Sequence, residues 1–130
     1  MELYKRGTAL SIWRIRDAVN TWNDAIQLIA SQKRDAQEAQ LAARLSLLAS
    51  KGRLRSPEMM NAEGNEIFAV KTTGGLRAYG WFDRVLGHRA FVISHLTLKK
   101  RQKLSPKDLN RATRARAAHP GIGVRLEIGD

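Results

Sequence analysis

The side chains best suited to chemistry on a phosphate lie within residues 88–116. Residues 88–99 predict a strand in which His95 and Lys99 share a face, because alternate residues of a strand point to the same side. Neutral imidazole can act as a general base or acid near neutral pH, although a lone histidine in an apolar strand is more often a hydrogen-bonded structural residue. Residues 99–116 carry eight lysines and arginines against one acid, Asp108, which gives +7 in 18 residues. Such a field attracts a polyanion, most commonly RNA or DNA, although a solvated basic face needs no partner.

Alternation predicts that an arginine and two aromatic rings share one face of a second strand, residues 76–83. The rings could stack bases while the guanidinium holds a phosphate. They could equally form a second small core, with the arginine bridging to an acid. The two predicted faces are Arg77, Tyr79, Trp81 and Asp83 on one side, and Leu76, Ala78, Gly80 and Phe82 on the other.

The same alternation in the strand at 88–99 separates Ser94 from His95. Adjacent strand residues point to opposite faces, so this serine and histidine are not expected to form a nucleophile and its base. The predicted faces are Phe91, Ile93, His95, Thr97 and Lys99 on one side, and Ser94, Leu96 and Leu98 on the other. The three histidines, at 88, 95 and 119, lack metal-ligand spacing, and no P-loop, HExxH or GxGxxG motif occurs. No metal site or cofactor is therefore expected.

Composition indicates an ordinary globular protein of one domain, residues 1–130, with a net charge of +11. The chain has no cysteine, so disulfides and thiolate metal sites are excluded. It has no apolar stretch near the ~20 residues of a membrane span, and no signal peptide is predicted at its N-terminus. We expect a cytoplasmic protein that binds nucleic acid or an acidic protein and no membrane.

The elements that must position these residues follow from hydrophobic periodicity and from the turn residues that end each segment. A strand is predicted at 9–16, then helical sequence over 17–50 that ends at Gly52 and forms either a hairpin or one long helix. Thr21 and Asp24 resemble a capping pair near a helix start. Residues 53–65 are the least regular. Three strands, 66–71, 76–83 and 88–99, are joined by short turns and predict an antiparallel meander.

A basic helix at 106–118 follows the last of these strands, and residues 119–130 are an extra tail or a weak edge strand. The order is thus strand, two helices, three strands, helix. It predicts an α+β fold whose antiparallel sheet has helices on one face and leaves the other partly open.

The stretch GNEIFAVKTTGGLRAYGWFD, followed by RAFVISHLTLKKRQKLSPKDLNRATRAR, resembles the RelE/HigB superfamily of type II toxin–antitoxin toxins, in particular its phage-related HigB-like branch. That branch has a "G-x-x-I/L-x-E-x-K/R" strand, an arginine-led strand ending in aromatics and Asp, and "H-x-x-x-K-K-x-x-K-x-P" before a helix. The resemblance covers residues 53–118. The counterparts here are Gly64 to Lys71, Arg77 to Asp83, and His95, Lys99, Lys100, Lys103 and Pro106.

The resemblance implies a RelE-like fold and cleavage of mRNA, commonly on the ribosome, without metal or cofactor. In that chemistry the RNA 2′-hydroxyl attacks its own phosphate, so a base, an acid and cations around the phosphorane are needed. It also implies neutralisation by an antitoxin, acidic and of the helix-turn-helix class, encoded nearby. The candidate catalytic residues are His95, Arg77, Lys99, Lys100 and Lys71, and the candidate RNA-binding residues are Arg101, Lys103, Lys107, Tyr79 and Trp81.

One feature departs from some RelE-type toxins, which place a catalytic tyrosine in or near the last helix. No tyrosine follows Tyr79 in this chain, so either His95 carries the proton transfer or the activity is weak. Two other functions fit the same residues: a non-catalytic nucleic-acid-binding protein that uses the basic segment, and a gyrase inhibitor on the same scaffold, like the ParE toxins.

Overall fold

The computed structural model describes residues 1–99 and 105–119, and the fold of this part is α+β. Six strands form one sheet in the order β1-β2-β6-β5-β4-β3, and three helices pack against it. The elements are β1 (Glu2–Arg6), β2 (Ser11–Arg14), α1 (Arg16–Gln27), α2 (Ser31–Lys51), β3 (Met60–Gly64), β4 (Ile67–Lys71), β5 (Leu76–Val85), β6 (His88–Leu98) and α3 (Pro106–Ala118).

The predicted meander of β4, β5 and β6 is confirmed, since each strand pairs antiparallel with the next. The prediction of a wholly antiparallel sheet is wrong, because β2 pairs with β6 in parallel. The connection from β2 to β6 includes α1 and α2 and brings the chain back in the same direction, as a parallel pair requires. The sheet is therefore mixed, with a parallel pair beside the meander.

Two strands were not predicted, β1 at the start of the chain and β3 within residues 53–65. Both lie at the edges of the sheet, where each pairs with one neighbour only. Four of the five residues of β1 are exposed, and β3 has the sequence MNAEG. Edge strands need not carry the apolar alternation by which a sequence reveals a strand.

The helical region forms two helices rather than one, which resolves the alternative that the sequence left open. Gly52 ends α2 with φ 79°, and its N–H donates to the Leu48 carbonyl, as predicted for a C-cap. Thr21 does not cap α1, because that helix begins at Arg16. Its hydroxyl instead donates to the Asp17 carbonyl and accepts the N–H of Leu96 in β6. β2 ends at Arg14, which pairs with Ile93, and α1 lies along the part of β6 that follows Ile93.

Helices cover both faces of the sheet, so the prediction of one partly open face is wrong for the region of the candidate residues. α3 lies on the face that carries Tyr79, Trp81 and His95, which we call the α3 face; Asp108 contacts His95 and His119 contacts Trp81. α2 crosses the opposite face, from the turn at 73–74 to the turn at 8–10. The predicted tail or edge strand beyond His119 lies outside the described residues.

Gly80 allows β5 and β6 to approach closely. A Cβ at this position would lie 2.3 Å from the Val92 carbonyl oxygen and 2.8 Å from the Phe91 ring. The backbone atom cannot move without disturbing the centre of the sheet.

We expect Gly80→Ala to lower the free energy of unfolding by about 1–3 kcal/mol, the usual cost of overpacking a core. Gly74→Ala is the matched control, because its added Cβ meets only the flexible end of Gln37. The check is urea denaturation followed by circular dichroism. Equal stability of the two variants would contradict this account of the close approach.

Candidate active site

A β-bulge in β6 decides which side chains reach the α3 face. Tyr79 pairs with His95 and Gly80 pairs with Ile93, so Ser94 is the extra residue. The bulge moves the pattern of β6 by one residue. Val92 therefore shares a face with His95, whereas the prediction that Ile93 and Phe91 share it is wrong. The Phe91 ring contacts Phe82 on the opposite face.

A second bulge lies across the sheet in β3, where Ala62 pairs with Phe68 and Gly64 pairs with Ile67. The extra residue is Glu63, which is buried. The two bulges thus place an acid and a serine–histidine pair on either side of Tyr79. Bulges are frequent beside active sites because they redirect side chains.

The His95 imidazole is fully buried and both of its nitrogens have partners. Nδ1 lies 2.9 Å from the Ser94 hydroxyl oxygen, and Nε2 lies 3.1 Å from an Asp108 carboxylate oxygen at the start of α3. The ring stacks on Tyr79 with centroids 5.1 Å apart. The prediction that Ser94 and His95 point apart is therefore wrong, because the bulge puts them on one side. Ser94 has no exposed surface, so this serine does not reach an external substrate in the present arrangement.

Tyr79 stands at the centre of the buried polar groups. Burial raises the pKa of its hydroxyl to about 12, with smaller contributions from the carboxylates of Asp108 and Glu63, while Arg77 lowers it. Within the described chain, neither the Tyr79 hydroxyl nor Glu63 Oε1 has a hydrogen-bond partner, although both are buried. Buried polar atoms without partners are uncommon and are a feature of binding and catalytic sites.

Arg77 and Lys71 lie side by side on the α3 face, because they pair across β4 and β5. Thr97 continues the row on β6. Like charges directly opposite each other destabilise a sheet unless an anion lies between them. Arg77 is nearly buried, at 7% exposure, whereas Lys71 is half-buried. This row can hold a phosphate beside Tyr79 and His95.

The other predicted site residues are spread around this centre. Lys99 follows β6 and is half-buried, and Lys107 is exposed on α3. Trp81 is fully buried, its indole N–H donates to Asp83, and its ring lies 6.4 Å from that of His119. Its face is thus unavailable to a stacking base in this arrangement. Lys100, Arg101 and Lys103 lie outside the described residues.

α3 covers the centre through a small apolar contact and several polar ones. Ala112 is buried, and Leu109 and Ala115 are partly buried against the core. Ser105 caps the helix by accepting the Asp108 N–H. Arg111 binds both carboxylate oxygens of Asp17 in α1, at 2.9 and 2.7 Å, and Arg116 binds Glu66 at 2.7 Å. Half-exposed ion pairs of this kind contribute about 0–1 kcal/mol each, so they add little to the attachment of α3.

Three residues of this centre, Glu63, Ser94 and Asp108, were not among the predicted site residues. Bulges carry no signal of their own in an alternating pattern, so Glu63 and Ser94 could not be found from periodicity. Asp108 could have been, because Ser105-x-x-Asp108 marks a helix start directly after the strand that carries His95.

Comparison with protein-family models and with curated proteins found no match. Among residues 1–99 and 105–119, no group of three or more histidine and acidic side chains is placed to hold a metal ion. No helix of the described chain is long and apolar enough to cross a membrane.

The contact of Asp108 with His95 predicts a loss of stability in acid. Burial opposes ionisation of Asp108, but hydrogen bonds from His95 and Ser105 outweigh it and hold its pKa below the usual value. The unfolded chain therefore binds more protons, so this stabilisation is complete above the ordinary pKa of about 3.9 and is lost as pH falls through the lower folded value. Asp108→Asn should lower the free energy of unfolding by about 1.5–3 kcal/mol at neutral pH, and the difference from the wild type should shrink in acid.

The measurement is urea denaturation between neutral pH and the onset of acid unfolding. Asp24→Asn serves as the control, because Asp24 is exposed on α1 and makes no ion pair in the described part of the protein. A difference for Asp108→Asn that stays constant with pH would contradict the contact.

Tyr79→Phe should change the free energy of unfolding by less than about 1 kcal/mol at neutral pH, because Arg77 is the donor beside the Tyr79 hydroxyl but no partner lies within 3.5 Å of it. In the wild type, the raised pKa contributes stability that is complete below pH ~10 and is lost as pH rises through about 12. Phenolate absorbance during an alkaline titration measures this directly. Burial also raises the pKa of Tyr4, the other tyrosine of the chain, so Tyr4→Phe is titrated beside Tyr79→Phe. A component ionising near pH 12 that Tyr79→Phe leaves unchanged would contradict the assignment.

Proposed function

We propose that this protein is the toxin of a type II toxin–antitoxin system, a metal-independent mRNA endoribonuclease with a RelE-like arrangement. The observation that carries the proposal is the convergence of Arg77, Tyr79 and His95 on one sheet face, with Lys71 beside them. These are the residue types that attack by an RNA 2′-hydroxyl needs. The succession β2, α1, α2, β4, β5, β6 and α3 also agrees with the order expected from the resemblance.

Each group has a defined part in the proposed reaction. Arg77 and Lys71, with Lys99 or Lys100, stabilise the negative charge of the phosphorane. His95 takes the proton of the 2′-hydroxyl or returns one to the leaving 5′-oxygen. Asp108 holds the imidazole by its Nε2 atom only while α3 is in place, and displacement of the helix frees that nitrogen for the proton transfer. Tyr79 keeps its proton at neutral pH and can donate a hydrogen bond to a phosphate oxygen.

Substrate must displace α3, because His95 and Tyr79 have almost no exposed surface beneath it. The polar attachment of α3 agrees with this requirement. An RNA phosphate can compete with Asp17 and Glu66 for the arginines that they now bind. Arg101, Lys103 and Lys107 would bind the RNA backbone near the start of the displaced helix.

The proposed partners are mRNA and the ribosome, in the cytoplasm, and an acidic antitoxin of the helix-turn-helix class. An acidic partner that covers the Arg77 and Lys99 region would neutralise the cations and block entry to the site together.

A non-catalytic nucleic-acid-binding protein is the second candidate. It is favoured by the two filled hydrogen-bonding positions of His95 and by its complete burial, which suit a structural histidine. In that function the basic residues bind phosphates and the buried groups only hold α3 in place.

The test is to express the wild type, His95→Gln and Arg77→Gln in a bacterial host and map mRNA 5′ ends, with detection of 5′-hydroxyl termini. We expect new ends and growth arrest with the wild type, and at least a ~100-fold loss of cleavage for His95→Gln, the usual range for a general acid or base. Arg84→Gln is the control, because Arg84 is an exposed arginine on the same strand.

Stability of every variant is measured in parallel, since His95→Gln also disturbs the packing of α3. Tyr79→Phe separates the two roles, because it should fold normally and still lose activity. Growth arrest without new 5′ ends, or full cleavage by a folded His95→Gln protein, would refute the nuclease. RNA binding that persists in that case, weakened by Arg77→Gln and by salt, would support the second candidate.

A further inference from the structure

A second basic pocket lies on the α3 face, at the far end of the sheet from His95. It is formed by the β1–β2 turn and the β5–β6 hairpin, and its volume is about 210 Å³. This is below the usual range for drug-sized ligands, so it suits a ligand no larger than a mononucleotide. The residues that give it its chemistry are Arg6, Trp13, His88 and Arg89.

The register of the sheet places Arg6, Trp13 and His88 on a common face, whereas Arg89 points to the opposite face, where it lies over the Phe82 ring. Trp13 pairs with Val92, which shares the α3 face with His95, and Arg6 pairs with Ser11, two residues before Trp13 on β2. His88 lies four residues before Val92 on β6 and so points the same way. α3 contacts β4, β5 and β6 but has no comparable contact with β1 or β2, so this corner of the sheet lies beside the helix rather than under it.

The Trp13 ring is held in one orientation and can serve as a stacking surface. Its indole N–H donates to the Ser11 hydroxyl at 2.9 Å, and it stands in the middle of a paired strand. It is half-buried, whereas Trp22 and Trp81 are buried. An aromatic ring held in this way can stack on a planar base with little loss of side-chain entropy.

The side chains around Trp13 offer hydrogen-bond donors. In the described part of the chain, no carboxylate lines the pocket, and the side chains of Arg6 and His88 make no hydrogen bond or ion pair. Arg89 is engaged, because it donates to the Gly52 carbonyl and lies over the Phe82 ring, 5.2 Å from its centroid. Two free donors next to a fixed indole are the pattern that binds a phosphate joined to a base.

We propose that this pocket binds a nucleotide, with the base stacked on Trp13 and the phosphate held by Arg6 and His88. The ligand is either a free mononucleotide or one nucleotide of single-stranded RNA. Because the pocket shares no residue with the His95 centre, the inference does not depend on the proposed nuclease activity.

The experiment titrates the purified protein with adenosine monophosphate and follows tryptophan fluorescence. Trp13 is the most exposed tryptophan, so stacking should quench its emission, and Trp13→Phe should remove the quenching. Adenosine and inorganic phosphate, tested separately, should each bind at least tenfold more weakly than the nucleotide. Arg6→Gln combined with His88→Asn should weaken nucleotide binding at least tenfold.

Lys5→Gln is the matched control, because Lys5 neighbours Arg6 on β1, carries the same charge and points to the opposite face. A short adenosine RNA that binds at least tenfold more tightly than the mononucleotide would assign the pocket to a nucleotide within RNA, and equal affinity would assign it to the free nucleotide. Absence of quenching by both ligands, or equal weakening by Lys5→Gln and by the Arg6 and His88 substitutions, would overturn the proposal.

Discussion

The β-bulge at Ser94 is the constraint on which the arrangement of the α3 face depends. It shifts the alternation of β6 by one residue. Before Ser94 the even-numbered residues, such as Val92, point to the α3 face, and after it the odd-numbered residues, such as His95, do so. Without the extra residue, His95 and Val92 could not share a face. The same bulge brings Ser94 and His95 together, and the contact of His95 with Asp108 then sets where α3 begins to cross the sheet. A local irregularity of one residue thus determines how a whole helix packs.

The helices on the two faces of the sheet are held by different kinds of contact. The α2 side has an apolar interface in which Leu41, Leu45 and Leu48 are almost completely buried. The α3 side has a polar interface, with buried groups that lack partners and ion pairs that are half open to water. Half-exposed ion pairs are screened by salt, whereas apolar burial is not. The attachment of α3 therefore depends on ionic strength more than that of α2 does.

Sequence periodicity predicted most of the fold where strands and helices have strong apolar patterns. The meander, the end of α2 at Gly52 and the basic last helix follow directly from such patterns. The polar edge strands β1 and β3 lack that pattern, and the parallel pairing of β2 with β6 depends on the path of the chain between them. For the site, Arg77 and Tyr79 could be placed together because two-residue spacing is regular before the bulge. Of the partners of His95, Asp108 could have been suspected from the helix start that it marks, whereas Ser94 could not, because its position depends on a bulge.

The parallel pairing of β2 and β6 has a consequence for synthesis of the protein. Ser11 in β2 pairs with Ala90 in β6, about 80 residues later in the chain. Such non-local contacts slow folding. The polar cluster takes its members from β3, β5, β6 and finally α3, so Asp108 completes it last. A nascent chain on the ribosome consequently has no assembled centre until α3 has emerged. The order of elements therefore delays assembly of the His95 centre until α3 has been synthesised.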